Sequence, residues 1–173
     1  MQIRKAELKD FDQVMAILQD GRNQLAESGI DQWQGDYPNP DHVRKDIEKG
    51  YAYLAKADDG EPVGTLTIIP APDHAYDQLD GHWQIDTNDY VTIHRVAIHS
   101  DHTGHGYASQ LYQAVINYFT SSFNDIKSVR VDTHEDNLPM QHLIEKSGFK
   151  RVGTLHGVYR ENETSYVYEL LTV

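Results

Sequence analysis

Residues 90–119 read YVTIHRVAIHSDHTGHGYASQLYQAVINYF, and their interpretation decides the fold. Tyr90 to Ile98 is rich in β-branched and aromatic residues and predicts a strand. Ala108, Leu111, Tyr112, Val115, Ile116 and Phe119 recur at helical spacing and predict an amphipathic helix. Between them lie Gly104 and Gly106, among His99, His102 and His105, which are spaced three apart. Where a strand passes into a helix, the first helical amides lack intrahelical partners and the dipole places partial positive charge there. Small residues let a ligand approach the backbone closely. Gly104, Gly106 and Ala108 are placed to form such an anion site, with His102 and His105 as additional donors. The same glycines equally suit a tight turn with no ligand. No Gly-Lys-Ser/Thr follows, so this is not a Walker loop, and no G-x-G-x-x-G follows the first strand, which argues against a dinucleotide fold.

Working outward, Ile3 to Ala6 predicts a short strand, and Phe11, Val14, Met15 and Leu18 mark a helix that Gly21 is expected to interrupt. The loop IDQWQGDYPNP leads to a short helix from Asp41 to Ile47, stopped by Gly50. Two strands flank the Asp59-Gly60 hairpin signal. Residues 70–90 form a long acidic excursion, either a surface loop or a wall of a substrate site. Downstream come a strand at Ser128 to Thr133, a helix from Asn137 to Lys146 ended by Gly148, and strands near Arg151–Leu155 and Tyr166–Leu171. The expected fold is a single α/β domain over residues 1–173, with a mixed sheet of about six or seven strands and about four helices.

The chain of 173 residues carries a formal charge of −12 and contains no cysteine. Disulfides, thiolate metal sites and cysteine nucleophiles are therefore excluded. The acidic balance opposes binding to nucleic acid and to anionic membranes. No apolar run approaches the roughly 20 residues of a membrane span. The N-terminal MQIRKAELKDF lacks the apolar centre of a signal peptide, so a cytoplasmic location is expected. An anionic ligand must be held by local donors, because the overall field repels it.

The order of elements, together with two local segments, resembles the GCN5-related N-acetyltransferase (GNAT) family. The first segment is Thr103-Gly104-His105-Gly106-Tyr107-Ala108 after Arg95-Val96-Ala97-Ile98-His99, matching the family turn Q/R-x-x-G-x-G/A. The second is Asn137 followed by Glu145-Lys146-Ser147-Gly148-Phe149. The resemblance implies acetyl transfer from acetyl-CoA, as co-substrate, to an amine. It implies that the CoA pyrophosphate sits on the amides from Thr103 to Ala108 and Ser109. It further implies that the pantetheine arm pairs with Val96, Ala97 and Ile98, and that Asn137 fixes the arm near the thioester. The strands carrying Val96 and Val131 are expected to splay apart, and direct attack by a neutral amine is the expected route. A backbone N–H near Ile98 would stabilise the oxyanion, which is worth roughly 3–4 kcal/mol per donor in acyl transfer.

Two positions depart from the family pattern. Thr103 stands where Gln or Arg is usual, and Ile144 stands where many relatives carry the Tyr that protonates the departing thiolate. His94, on the strand before the turn, is the candidate general base, with His134 as the alternative. Trp33 and Tyr37, near Asp31 and Asp36, and Tyr159 with Glu161 form a candidate acceptor wall for a cationic amine: a small amine, amino acid, aminoglycoside or peptide. Other readings are a non-catalytic CoA-binding module, a metal site on His99, His102 and His105, and a plain interaction domain. A homodimer is a further expectation from the resemblance. No Lys or Arg occurs between Arg95 and Lys127. If His102 and His105 assist the phosphates, CoA affinity will rise as pH falls from about 8 to 6, where histidine gains its proton. A flat calorimetric titration over that range would exclude their contribution.

Overall fold

The computed structural model describes residues 1–121 and 125–172. Its strands form one mixed, open eight-stranded sheet in the order β1-β2-β3-β5-β6-β8-β7-β4. They are β1 (Gln2–Lys5), β2 (Ala52–Lys56), β3 (Pro62–Pro70), β4 (Asp80–Gly81), β5 (Tyr90–Ile98), β6 (Ser128–His134), β7 (Lys150–His156) and β8 (Thr164–Leu171). The helices are α1 (Phe11–Glu27), α2 (Pro40–Glu48), α3 (Tyr107–Thr120) and α4 (Leu138–Lys146). β5 and β6 are parallel, in register from Tyr90↔Ser128 to Ile93↔Val131. The strand beyond the expected number is β4, whose two residues pair with Thr154 and Gly153. Two residues carry no periodicity, so no sequence pattern announces it.

The chain divides into two compact units, Met1–Ile68 with Arg95–Ala114, and Ile69–His94 with Val115–Val173. In the first, α1 and α2 bury Val14, Ile17, Leu18, Val43 and Ile47 with Leu54 of β2 and Ala97 of β5. α1 is not interrupted at Gly21. A Cβ there would lie 3.1 Å from Ala97 Cβ and 3.3 Å from the Trp33 ring, so the glycine permits close packing. Asn39 caps α2 by accepting the His42 N–H at 3.0 Å, with Pro40 in the first helical turn.

In the second unit, β6 alternates Val129, Val131 and Thr133 with Ser128, Arg130, Asp132 and His134. Such alternation ordinarily marks a strand with one wet face. Here both faces are largely covered, because the 71–89 excursion folds over the polar one. The Arg130 guanidinium lies 3.7 Å from the Trp83 ring centroid and 3.9 Å from that of Tyr90. Its Nε sits 3.3 Å from Glu169 Oε2, and Glu169 is fully buried. Glu169 also accepts the Gln84 N–H and the Ser128 hydroxyl, each at 2.6 Å. The excursion thus closes over a buried charge pair of the sheet, Trp83 covering Arg130 and Gln84 donating to Glu169.

Removing one partner of a buried pair leaves the other uncompensated. Glu169→Ala should therefore cost about 3–5 kcal/mol and lower Tm by roughly 10 °C. A calorimetric Tm within two or so degrees of wild type, the size expected of a surface change of under about 1 kcal/mol, would contradict this account of how the excursion is held.

Candidate functional site

The first unit contributes the turn and the start of α3. Asp20 of α1 accepts the Ser100 N–H at 2.8 Å, the Ser100 hydroxyl at 2.6 Å and the Gln24 amide at 2.7 Å. Burial would raise its carboxyl, but these donors and the nearby His99 hold it below the usual range. Gln24 also donates to the Ile98 carbonyl at 2.9 Å, and His99 N–H donates to Val63 O at 2.9 Å. The entry to the turn is therefore fixed by α1 on one side and β3 on the other.

Thr103 folds back on Ser100 O through its hydroxyl at 2.9 Å. Gly104 and Gly106 have φ of 85° and 74°, the left-handed region that favours glycine. A Cβ at either would meet nothing within 4 Å, so the backbone is open to approach there. The helical ladder begins with Gln110 N–H to Gly106 O at 3.1 Å. The amides of Tyr107, Ala108 and Ser109 thus precede the first intrahelical bond. This is a cradle that fits a phosphate group, with peptide N–H groups and the helix dipole as its donors.

The three histidines beside it point to separate partners. His99 Nε2 lies 3.6 Å from Asp20, His102 Nε2 lies 3.7 Å from Glu61, and exposed His105 stacks on Tyr107 at 5.5 Å. Among the described residues, no three His, Asp or Glu side chains gather as a metal-ligand set.

The acceptor-wall candidates from the first loop are tied into their own unit. Trp33, at φ 62°, packs against the α1 core. Tyr37 is edge-on to His42 at 5.1 Å and accepts a hydrogen bond from Arg95 Nη1 at 3.0 Å. Arg95 itself is left-handed at φ 51°, and its Nε lies 3.0 Å from Asp46 Oδ2.

The second unit contributes His94, the last β5 residue before that break. His94 Nε2 is 2.8 Å from Asp73 Oδ2. Asp73 is itself fixed: its N–H donates to the Tyr90 hydroxyl at 2.8 Å and its Oδ1 accepts the Ala75 N–H at 3.1 Å. Burial would push the Asp73 carboxyl up, but the His94 hydrogen bond and charge and the Ala75 N–H hold it below the ordinary range. Asp132 of β6 accepts the Tyr76 hydroxyl at 2.8 Å and the Tyr159 hydroxyl at 3.1 Å. Burial raises the Asp132 carboxyl, against the opposing pull of His94 and the two hydroxyls. The Tyr76 phenol is pushed well up by its own burial and by the Asp132 charge.

His134, the alternative base, is buried with Nδ1 accepting the Asp136 N–H at 3.0 Å, while Nε2 lies 3.7 Å from Glu163. Asn137 caps α4, its Oδ1 accepting the Met140 N–H at 3.2 Å. Ile144 is fully buried in the same helix. Sequence reasoning passed over Asp73 and Tyr76, which sit in an aperiodic excursion, and Asp132, whose alternation with Val131 and Thr133 was the available signal.

Comparison with known proteins places this geometry. A family model described as "Acetyltransferase (GNAT) family" matches residues 18–149. The chain is 31% identical to a GNAT-family acetyltransferase structure from Streptococcus agalactiae, over 98% of this chain and 94% of that one, at TM-score 0.87. A GNAT-family acetyltransferase from Listeria monocytogenes is 22% identical over 98% and 94% of the chains, at TM-score 0.71. A spermidine N-acetyltransferase from Vibrio cholerae, in complex with CoA and spermine, is 16% identical over 99% and 95%, at TM-score 0.70. No curated protein matches the chain.

The Asp132 environment makes a signed prediction. Its folded carboxyl binds its proton more tightly than in the unfolded chain, so wild-type stability falls as pH rises above about 4 through that window. Asp132→Asn removes this titration. The Tm of the variant relative to wild type should therefore be more favourable at pH 7 than at pH 3, and a pH-independent difference would contradict the burial of this charge.

Proposed function

Because the chain belongs to the acetyltransferase (GNAT) family, we propose that it transfers the acetyl group of acetyl-CoA to the primary amine of a cationic acceptor by direct attack. The observation that carries this reading is the turn at Gly104 and Gly106, left-handed, open to approach and continuous with the unbonded first amides of α3. Those amides bind the diphosphate, and Thr103 supports them through its own backbone rather than a charged side chain. The backbone of Val96 and Ala97 pairs with the pantetheine arm, the Ile98 carbonyl being engaged by Gln24. Asn137, anchored as the α4 cap, fixes the arm near the thioester.

In the chemical step His94 takes a proton from the acceptor amine. The amine nitrogen bonds to the acetyl carbon, the carbon–sulfur bond breaks, and the thiolate leaves. Ile144 offers no proton, so the thiolate is protonated from solvent, a tolerable demand for a thiol of pKa near 8.5. Asp73 and Asp132 favour an acceptor that arrives as a cation, consistent with the formal charge of −12. The acceptor class is a polyamine, amino acid, aminoglycoside or peptide amine.

Thiol release from acetyl-CoA with spermine, lysine, kanamycin and a peptide bearing a free N-terminus tests the reading. At least one amine should give turnover, and His94→Ala should reduce its rate by about 100-fold or more. Gly106→Val should abolish CoA binding in calorimetry, since a β-branched residue is strained at that φ and its side chain enters the cradle. CoA binding with no thiol release for any amine would instead favour a non-catalytic CoA-binding module, the reading to which the apolar Ile144 points.

A further inference from the structure

The 71–89 excursion has no assigned role, yet it delivers one residue to the proposed base. We propose that Asp73 is a positioning residue that fixes the tautomer of His94, holding the proton on Nε2 and so placing the basic lone pair of the neutral ring on Nδ1. This inference rests on the assignment of His94 as base.

The argument is geometric. His94 Nε2 faces Asp73 Oδ2 at 2.8 Å, and an ionised carboxylate can only accept. Neutral His94 therefore carries its proton on Nε2. The residue is fixed at both ends: its backbone N–H donates to the Tyr90 hydroxyl, while its carboxylate accepts the Ala75 N–H at Oδ1 and meets His94 Nε2 at Oδ2. Asp73 is the N-cap of a short 3-10 turn, His74–Gln78, whose Tyr76 donates to Asp132. Tyr90 and His94, four residues apart on β5, both reach Asp73, and Asp132 lies on β6, so one turn of the excursion braces both strands. The turn is anchored by Tyr76, buried with Tyr90, Leu155 and Val167, as well as by its cap and hydroxyls, and it sets a carboxylate against an imidazole, both about four-fifths buried. A surface loop with no part in the site has no reason to bury an ion-pairing group there.

The proposal predicts a specific failure. In Asp73→Asn, Oδ1 stays with the Ala75 N–H, so the amide NH2 turns toward His94. Nε2 must then accept, the proton moves to Nδ1, and the basic lone pair moves to Nε2, where the new amide occupies it. Nitrogen-15 spectra of histidine-labelled protein read this directly and need no acceptor. In the neutral ring, wild-type His94 should be mostly the Nε2–H form, and Asp73→Asn should shift the tautomer ratio by about tenfold or more toward Nδ1–H. Asp73→Ser keeps a capping oxygen but no partner for Nε2, and should give a mixture of the two forms. Tm values close to wild type will show that both variants fold. In thiol-release assays Asp73→Asn should lower kcat with little change in CoA binding, and should add nothing on a His94→Ala background.

An unchanged His94 tautomer in folded Asp73→Asn, with His94→Ala inactive, overturns the role of Asp73 and leaves the base intact. Full activity in His94→Ala overturns the base assignment and the Asp73 role with it.

Discussion

One residue in an unfavourable backbone conformation organises the molecule: Arg95, left-handed in the middle of β5 at φ 51°. A non-glycine residue in this region costs about 1–2 kcal/mol, so its neighbours must hold it there. They do so with charge. Arg95 Nε and Nη2 lie 3.0 and 3.1 Å from Asp46, Nη1 donates to Tyr37, and the guanidinium stands 5.5 Å over the Tyr37 ring. The break separates two anchoring systems along one strand. His94, just before it, is bound to Asp73, and Ile98, just after it, to Gln24. Relief of the strain by a regular strand would re-aim every side chain from 95 to the turn.

The site's chemistry follows from which groups are satisfied and which are open. The Asp73 carboxylate accepts from two donors, Ala75 N–H and His94 Nε2, and stays ionised, which suits a partner that orients an imidazole. Asp132 has two hydroxyl donors on one oxygen and is held up by burial, which suits a group that tolerates a nearby cation. At the turn the logic is reversed. Gly104 and Gly106 have open faces and the first amides of α3 lack intrahelical acceptors, so donors outnumber acceptors there. An overall acidic chain can thus present a local anion site, because peptide dipoles act at contact distance while net charge is screened within about 10 Å.

The fold was legible where one element carried its own period. The β5–turn–α3 segment, the Asp59-Gly60 hairpin and the α4 boundary at Gly148 announce themselves in composition and spacing. Gly21 misled because a glycine within a helical pattern weakens the helix locally, whereas here its missing side chain admits Ala97 and Trp33. The candidate site was legible in part. His94 and the glycine turn stand within one contiguous segment. Asp73, Tyr76 and Asp132 do not, since the Tyr76–Asp132 contact spans 56 residues and has no local signature. β6 misdirects in a different way, because SVRVDTH alternates as a strand with one face in water does, whereas the excursion and Tyr159 cover that face. The covering is done by Trp83, Gln84 and Tyr76, from a stretch whose composition reads as loop.

The central claim is that peptide N–H groups at the β5–α3 turn grip the diphosphate of the coenzyme with no lysine or arginine beside them. A CoA titration followed by amide nitrogen–proton NMR tests it most directly. The account predicts the largest displacements at the amides of Gly104, Gly106, Tyr107 and Ala108. Saturating CoA that leaves those four amides in place while others move would contradict it.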